Sequence, residues 1–315
     1  MPTTVACTCA ALGAIGKLIS ESTGTAPRTF ADTSLKHEFI YESLQTKRPI
    51  ASTNSITGSL ANLKSSVRNG SYLTQGAIAI QASPEELKRW LPRIFGGISG
   101  SNIVLSDTLP TFDVLVYREN GIFHYTDCMV AQAVIRGKTS SGGEQVEFMD
   151  FIVQLVGKQE LIDVTSWPAT DPAMGVTADY LPYTFYESSL SLASADVEYE
   201  KIDLIINNNL DVKFFNKQYP SCVRMTNREI KLDVQAAFTC DNLDTALAAN
   251  TGSIAGVFSL TTTGMSTVFT FADLRNTFES PTIPGKTTFP QKFSLEAYAD
   301  AADGINVAIT QDDTP

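Results

Sequence analysis

The sequence predicts a mainly β fold with short helices: two tandem β-sandwich or barrel modules, each with a flanking helix. Three observations predict it. Apolar and polar residues alternate with a period of two in several segments, as half-buried strands require. Asn-Gly, Asp-Gly and single Gly residues punctuate those segments as turns. The order strand, short helix, hairpin, long loop, strand occurs twice, pairing Ala77–Gln81 with Ile230–Gln235 and Phe151–Val156 with Phe293–Tyr298.

Taken in order, residues 1–45 carry no sustained periodicity and read as an N-terminal arm or leader. Residues 46–158 read as the first module. Ala77–Ile80 is a strand, and a helix follows it: Ser83 caps, Pro84 suits the first helical position, and Glu86 completes a capping box. Leu87, Trp90, Leu91, Ile94 and Phe95 then fall on one apolar stripe, Pro92 is a weak point within it, and Gly96-Gly97 ends it. Phe112–Tyr117 and Ile122–Tyr125 flank Asn120-Gly121, a hairpin whose turn residues accept positive φ. A further strand spans Val146–Val156. Residues 159–200, broken by Pro168, Pro172, Gly175 and Pro182, read as a connector with short structure of its own.

Residues 201–315 read as the second module. Ile202, Leu204 and Ile206 alternate with Asp203 and Asn207; Ile230, Leu232, Val234 and Phe238 alternate with Lys231, Asp233 and Gln235. Asp241 is the expected cap of a short helix carrying Leu243 and Leu247. Strands follow at Gly256–Thr261 and Val268–Phe271 around Gly264, then at Phe293–Ala297, and Asp303-Gly304 turns the chain into Asn306–Thr310.

Composition narrows function. Among 315 residues, 23 Lys+Arg against 34 Asp+Glu leave a formal charge of −11, which argues against general nucleic-acid binding, since that needs a surplus of cations to displace phosphate counterions. Hydrophobic residues at 43% and charged residues at 18% exclude disorder. Five cysteines are too few for a disulfide scaffold, and Cys7 and Cys9 form a bare pair without further ligands. The first residues lack the basic start of a signal peptide. The uncharged stretch near Thr245–Ala272 alternates polar with apolar residues and reads as strands, so no membrane anchor is expected.

Catalytic, cofactor and metal sites are expected to be absent. There is no phosphate loop, because Gly96-Gly97-Ile98-Ser99-Gly100 lacks the lysine, and no nucleophile elbow around Ser99. His37 and His124 are the only histidines, and His124 reads as a satisfied strand residue. Asp300, Asp303 and Gly304 lack calcium-loop spacing, Asp312 and Asp313 read as a solvated tail, and Glu42, Lys47 and Arg48 as surface charges. A carbohydrate-binding or adhesive β-sandwich, for instance a surface module, is one class the sequence leaves open. A hydrolase with two distant carboxylates is another.

Several stretches resemble one known family. They are Glu42–Pro49, Gly70–Gly76, Ser83–Leu87 running to Leu91–Gly97, Leu109–Val116, Tyr125–Cys128, Asn207–Leu210, Phe214-Phe215 and Ser280–Gly285. Together, over roughly residues 38–312, the chain resembles the major tail tube proteins of long-tailed bacteriophages with non-contractile tails. The resemblance implies a structural virion protein whose rings stack into a hollow conduit for the genome. For a chain with two modules the resemblance implies trimeric, pseudo-sixfold rings over hexamers; a hexamer is implied if the halves are not both tube modules. Implied partners are further copies of the chain, the tape measure, tail terminator and tail tip proteins, and DNA in passage. The implied location is the virion tail, with assembly in the host cytoplasm. A wall past which DNA slides is then expected to carry more Asp and Glu than Lys and Arg on its inner strands.

Overall fold

A computed structural model describes residues 16–31, 34–52, 67–118, 121–139, 147–162, 167–168, 181–277, 290–299 and 307–312. Two runs of elements follow one another. The first holds β1 (Gly16–Glu21), β2 (Leu35–His37), β3 (Tyr41–Glu42), β4 (Gln45–Lys47), β5 (Ile50–Ser52), β6 (Val67–Asn69), β7 (Leu73–Gln81), α1 (Pro84–Phe95), β8 (Gly96–Ser99), β9 (Asn102–Leu105), β10 (Phe112–Arg118), β11 (Gly121–Lys138), β12 (Asp150–Gly157) and β13 (Gln159–Ile162). The second holds β14 (Ser188–Leu192), β15 (Ala195–Asp196), β16 (Tyr199–Asn207), β17 (Leu210–Lys213), β18 (Cys222–Met225), β19 (Glu229–Ala236), α2 (Cys240–Thr251), β20 (Ile254–Thr262), β21 (Met265–Asn276), β22 (Gln291–Tyr298) and β23 (Ala308–Asp312).

The second run repeats the pairings of the first, all of them antiparallel. β1 pairs with β2 and β10, as β14 pairs with β15 and β20. β3–β4 and β12 flank β7, as β16 and β22 flank β19. β5–β6 and β17–β18 are separate hairpins at the same place in each run. β11 takes β10, β12 and β13 where β21 takes β20, β22 and β23. Both hairpins shift register at matching points, between Phe112 and Val114 and between Ile254 and Gly256. The helices are both 12 residues long; Ser83 and Thr239 cap their starts, and Gly96 and Gly252 follow their ends. Matching Ser83 to Thr239 brings Gly76 level with Leu232 and Phe151 level with Gln291. The element correspondence expected from the sequence therefore holds, with the register displaced. The β8–β9 hairpin is extra to the first run, and it extends the sheet by pairing β9 with β23.

One seam joins the runs. β16 lies between β19 and the second half of β11, opposite Gln132–Lys138. Asn208, fully buried, donates its side-chain amide to the carbonyls of Ile94 (3.1 Å) and Val130 (3.0 Å). Arg228 donates to the Phe95 and Ser106 carbonyls and to Asn208 Oδ1, so a guanidinium sits at the C-terminal end of α1, where helix dipoles favour a cation. A single large apolar cluster spans both runs, from Leu18 to Ile309. Among the described residues the sheet is continuous but does not close on itself, so the architecture is sandwich-like and not a closed barrel.

Several expected details change. Leu18 and Ile19 in β1 are fully buried, so residues 16–45 belong to the fold, not to a loose arm. Within 159–200, β13 and β14 pair into the sheet. The strand expected from Val146 begins at Asp150. Thr239, not Asp241, caps α2, and its buried side chains are Ala246 and Ala249, while Leu247 is exposed. β19 stops at Ala236, which leaves Phe238 outside the strand and exposed. The Asn120 turn, Asp303-Gly304, Pro172, Gly175 and residues 1–15 lie outside the described residues.

Gly76 sits where β7 meets the turn into β4, and a Cβ there would collide with the Ser43 carbonyl and the Leu44 backbone. Gly76→Ala is expected to cost about 1–3 kcal/mol, because backbone cannot retreat as a flexible side chain can. Urea unfolding of the two proteins measures it, and an unchanged midpoint would refute the steric account.

Candidate functional site

Strand alternation builds the broadest surface. β7, β12, β11, β16, β19, β22 and β21 lie side by side, with one face on the core and the other open. Cross-strand rows on the open face read Gln154–Gln132–Asn207–Glu229 and Asp150–Arg136–Asp203–Asp233–Ser294. A band of Ile152, Val134 and Ile205 runs between them. The face carries seven acids (Asp150, Glu200, Asp203, Glu229, Asp233, Asp273, Glu296) and six bases (Arg136, Lys138, Lys201, Lys231, Arg275, Lys292). Arg136 and Lys201 both reach Asp203 at 2.6 Å, Lys231 lies 3.9 Å from Glu229, and Arg275 lies 3.5 Å from Asp273. Acids exceed bases on this face by one. The face is close to balanced, and the four cations that stand beside carboxylates (Arg136, Lys201, Lys231 and Arg275) offer little net field to a polyanion.

Beneath the sheet lie two polar knots that periodicity did not reveal. In the first, Arg93 donates to Ser20 Oγ (2.9 Å), Ser20 meets His37 Nε2 (2.6 Å), and His37 Nδ1 meets Glu86 Oε2 (2.8 Å), which also accepts from Trp90 Nε1 (3.0 Å). With Arg93 occupying the Ser20 oxygen, the hydroxyl proton points to Nε2, and Nδ1–H donates to Glu86. A neutral Ser–His bridge therefore links a buried cation to a buried anion. Glu86 is spent on this knot: Ser83 Oγ does accept from the Glu86 N–H, but the expected reciprocal half of the capping box is missing. Burial pushes His37 below its ordinary value against the pull of Glu86, and pushes Arg93 down to about 10. Burial alone would raise Glu86, but His37, Arg89 and Trp90 together hold it below the usual carboxylate range.

Serine, histidine and carboxylate stand here in the bonding order of a hydrolase triad. Ser20 is 0% exposed, however, and its oxygen already accepts from a guanidinium. The nearby surface cavity of about 710 Å³ is lined by Ser22, Glu85, Arg89 and Arg93, but not by Ser20, His37 or Glu86. Glu86 lines a separate small cavity of about 130 Å³, but Ser20 and His37 do not, and the group ties β1, β2 and α1 together.

The second knot surrounds Asp113, fully buried. It accepts from the Arg28 backbone N–H (2.8 Å) and guanidinium (2.5 Å), from the Asp127 N–H (2.9 Å) and bonds His124 Nε2 (2.8 Å). Burial would raise its carboxyl, and the His124, Arg28 and Asp127 donors overcome that and lower it. His124 is thus the satisfied strand residue the sequence suggested. Four knot positions are apolar in the second run: Ser20, Trp90, Arg93 and Asp113 correspond to Leu192, Ala246, Ala249 and Ala255, while Glu86 corresponds to Asn242.

Other singled-out residues have definite places. Glu42 is an ion-pair partner of Arg118 at 2.6 Å, not a loose surface charge, and Arg48 lies over the Tyr72 ring. Gly96 and Gly97 open β8, and Asp312 ends β23 opposite Ser266 instead of lying in a tail. Cys7, Cys9, Asp300, Asp303, Gly304 and Asp313 lie outside the described residues. Among the described residues no three His, Cys, Asp or Glu side chains group to hold a metal, and no helix is long and apolar enough to cross a membrane.

What the fold presents is broad paired surface and open strand edge, the architecture of a sandwich-like β protein. The family model described as phage tail tube protein matches residues 12–311, and the chain belongs to that family. It is a structural tail tube protein, a component of the virion tail. No curated protein matches the sequence.

The His37 knot makes stability depend on pH. The folded chain holds a proton on His37 less tightly than the unfolded chain, so the stabilisation is complete above about pH 6.5 and is lost as pH falls from there through the lowered folded value. Glu86 acts in a lower window, below about 4.5. The urea midpoint should fall between pH 7.5 and 5.5, with a shallower fall in His37→Gln. Equal slopes in the two proteins would remove His37 as the source.

Proposed function

We propose that the chain assembles into rings that stack as the phage tail tube, with the open face of the seven-strand sheet lining a conduit for DNA. The carrying observation is the tandem repeat of pairings with one seam inside the chain. It supports two related tube modules, one over residues 16–162 and the other over 188–312, in place of modules starting near 46 and 201. A ring of three chains then presents six such modules, a pseudo-sixfold arrangement closed by head-to-tail contacts. The unclosed sheet fits this reading, because a strand edge left open in one chain is a site for the next.

The nearly balanced open face suits passage of a polyanion. Phosphate attraction grows with the cations it can neutralise, and here four of the six cations already stand beside carboxylates. The role is non-enzymatic. The partners are further copies of the chain and, at the ends and within the lumen of the tube, the tail terminator, tail tip and tape measure proteins, assembled in the host cytoplasm.

Electron microscopy of the purified protein at high concentration tests this. Stacked rings are expected, with averaged end views showing three chains and six similar lobes. A protein that stays monomeric across the concentration range refutes the assembly reading. Six chains per ring would refute the trimeric form alone.

A further inference from the structure

The internal seam has a counterpart that the chain leaves unfilled. On the β16 side of the seam, Asn208 and Arg228 meet the C-terminal end of α1. Strand pairing maps both residues onto the first run. Thr46 stands opposite Thr74 as Ile206 stands opposite Ile230, which places Arg48 at the position of Asn208 and Tyr72 at that of Arg228. The helix caps map Ile94 and Phe95 onto Asn250 and Thr251 at the end of α2. One chain therefore carries a used copy of the contact and both halves of an unused one.

The unused halves fit in chemistry. Arg228 bonds Asn208 Oδ1 within the seam at 3.2 Å; in the counterpart, the Arg48 guanidinium lies 4.7 Å over the Tyr72 ring. The two-residue unit keeps one cation, moved to the other member. Arg48 is exposed beside a surface pocket of about 590 Å³ lined by Lys47, Arg48, Pro49, Ser71, Leu73 and Gln75. On the other half, Asn250 and Thr251 are exposed, and the last turn of α2 contains no basic side chain to meet its terminal carbonyls. α1, in contrast, has Arg93 in its last turn and Arg228 at its end. The dipole at the end of α2 thus lacks the cation that α1 receives across the seam.

We propose that Arg48, positioned on Tyr72, docks on the C-terminal end of α2 in a second copy of this chain, reproducing between chains the contact that Asn208 and Arg228 make within one. The occupant of the Arg48 surface is accordingly the α2 end of the neighbouring subunit, and the contact repeats head to tail until the ring closes. The inference rests on the ring assembly proposed above and names the residues that make it.

Charge reversal with rescue tests it on the full-length protein. Arg48→Glu places a carboxylate against helix carbonyls and should raise the concentration needed for assembly by roughly tenfold or more. Asn250→Lys alone sets two cations together and should weaken assembly as well. The double variant should recover tubes at close to the parent concentration. Both side chains are exposed, so melting temperatures should stay near the parent's and show that each variant is folded. Tubes formed by Arg48→Glu at the parent concentration, or a folded double variant without recovery, overturn this contact while leaving the tube reading intact. A parent that never assembles overturns both.

Discussion

The fold rests on the need of every strand edge for a hydrogen-bonding neighbour. A buried backbone N–H or C=O without a partner costs about as much as a lost hydrogen bond, and an exposed row of them invites uncontrolled pairing. At the seam, β16 meets that need by lying between β19 and the second half of β11, so the two runs become one sheet. The shared apolar cluster follows from that pairing, because β16 turns Ile202, Leu204 and Ile206 onto the same side as Ala133 and Ile135. Remove the seam and each run exposes an edge and part of its core.

Side chains quiet an edge where no strand does. Leu44 lies between the short strands β3 and β4, and its N–H donates to Glu42 Oε2 while its carbonyl accepts from Arg118 and from Tyr125 Oη. Leu204, the matching residue in the second run, stands opposite Ile135 of a neighbouring strand instead. The first run thus uses charged and aromatic side chains where the second uses backbone. The buried knots repeat that contrast. The first run places Ser20, His37, Glu86 and Arg93 under its helix, and the second packs Leu192, Ala246 and Ala249 there. Both solutions fill the space between helix and sheet. The polar one adds directional bonds that fix β1 and β2 against α1, at the cost of removing charges from water.

The elements that could be read from the sequence are those whose signal is local. Ser83, Pro84 and the Leu87–Phe95 stripe predicted α1, and the alternation of Ile230, Leu232 and Val234 predicted β19, because capping and periodicity depend only on near neighbours. Where the reading failed, the deciding partner was distant. Gly16–Glu21 shows no strong alternation and looked like an arm, yet it pairs with Phe112–Arg118 almost a hundred residues later. Leu243 and Leu247 suggested the buried stripe of α2, but close packing on the sheet selected the small Ala246 and Ala249. Glu86 was assigned to a capping box, and a histidine from β2 claimed it.

By itself the sequence determined the β class, the β10–β11 and β20–β21 hairpins, both helices, the twofold order of elements and the likeness to tail tube proteins. All of these are encoded in residues near one another or in their order. Only the tertiary structure decided the register of the repeat, the seam between β11 and β16, the nearly balanced charge of the open face and the two buried knots. Each of those depends on which strands lie side by side, and antiparallel pairing brings together residues such as Arg28 and Asp113, or Asn208 and Ile94, whose separation along the chain leaves no local trace.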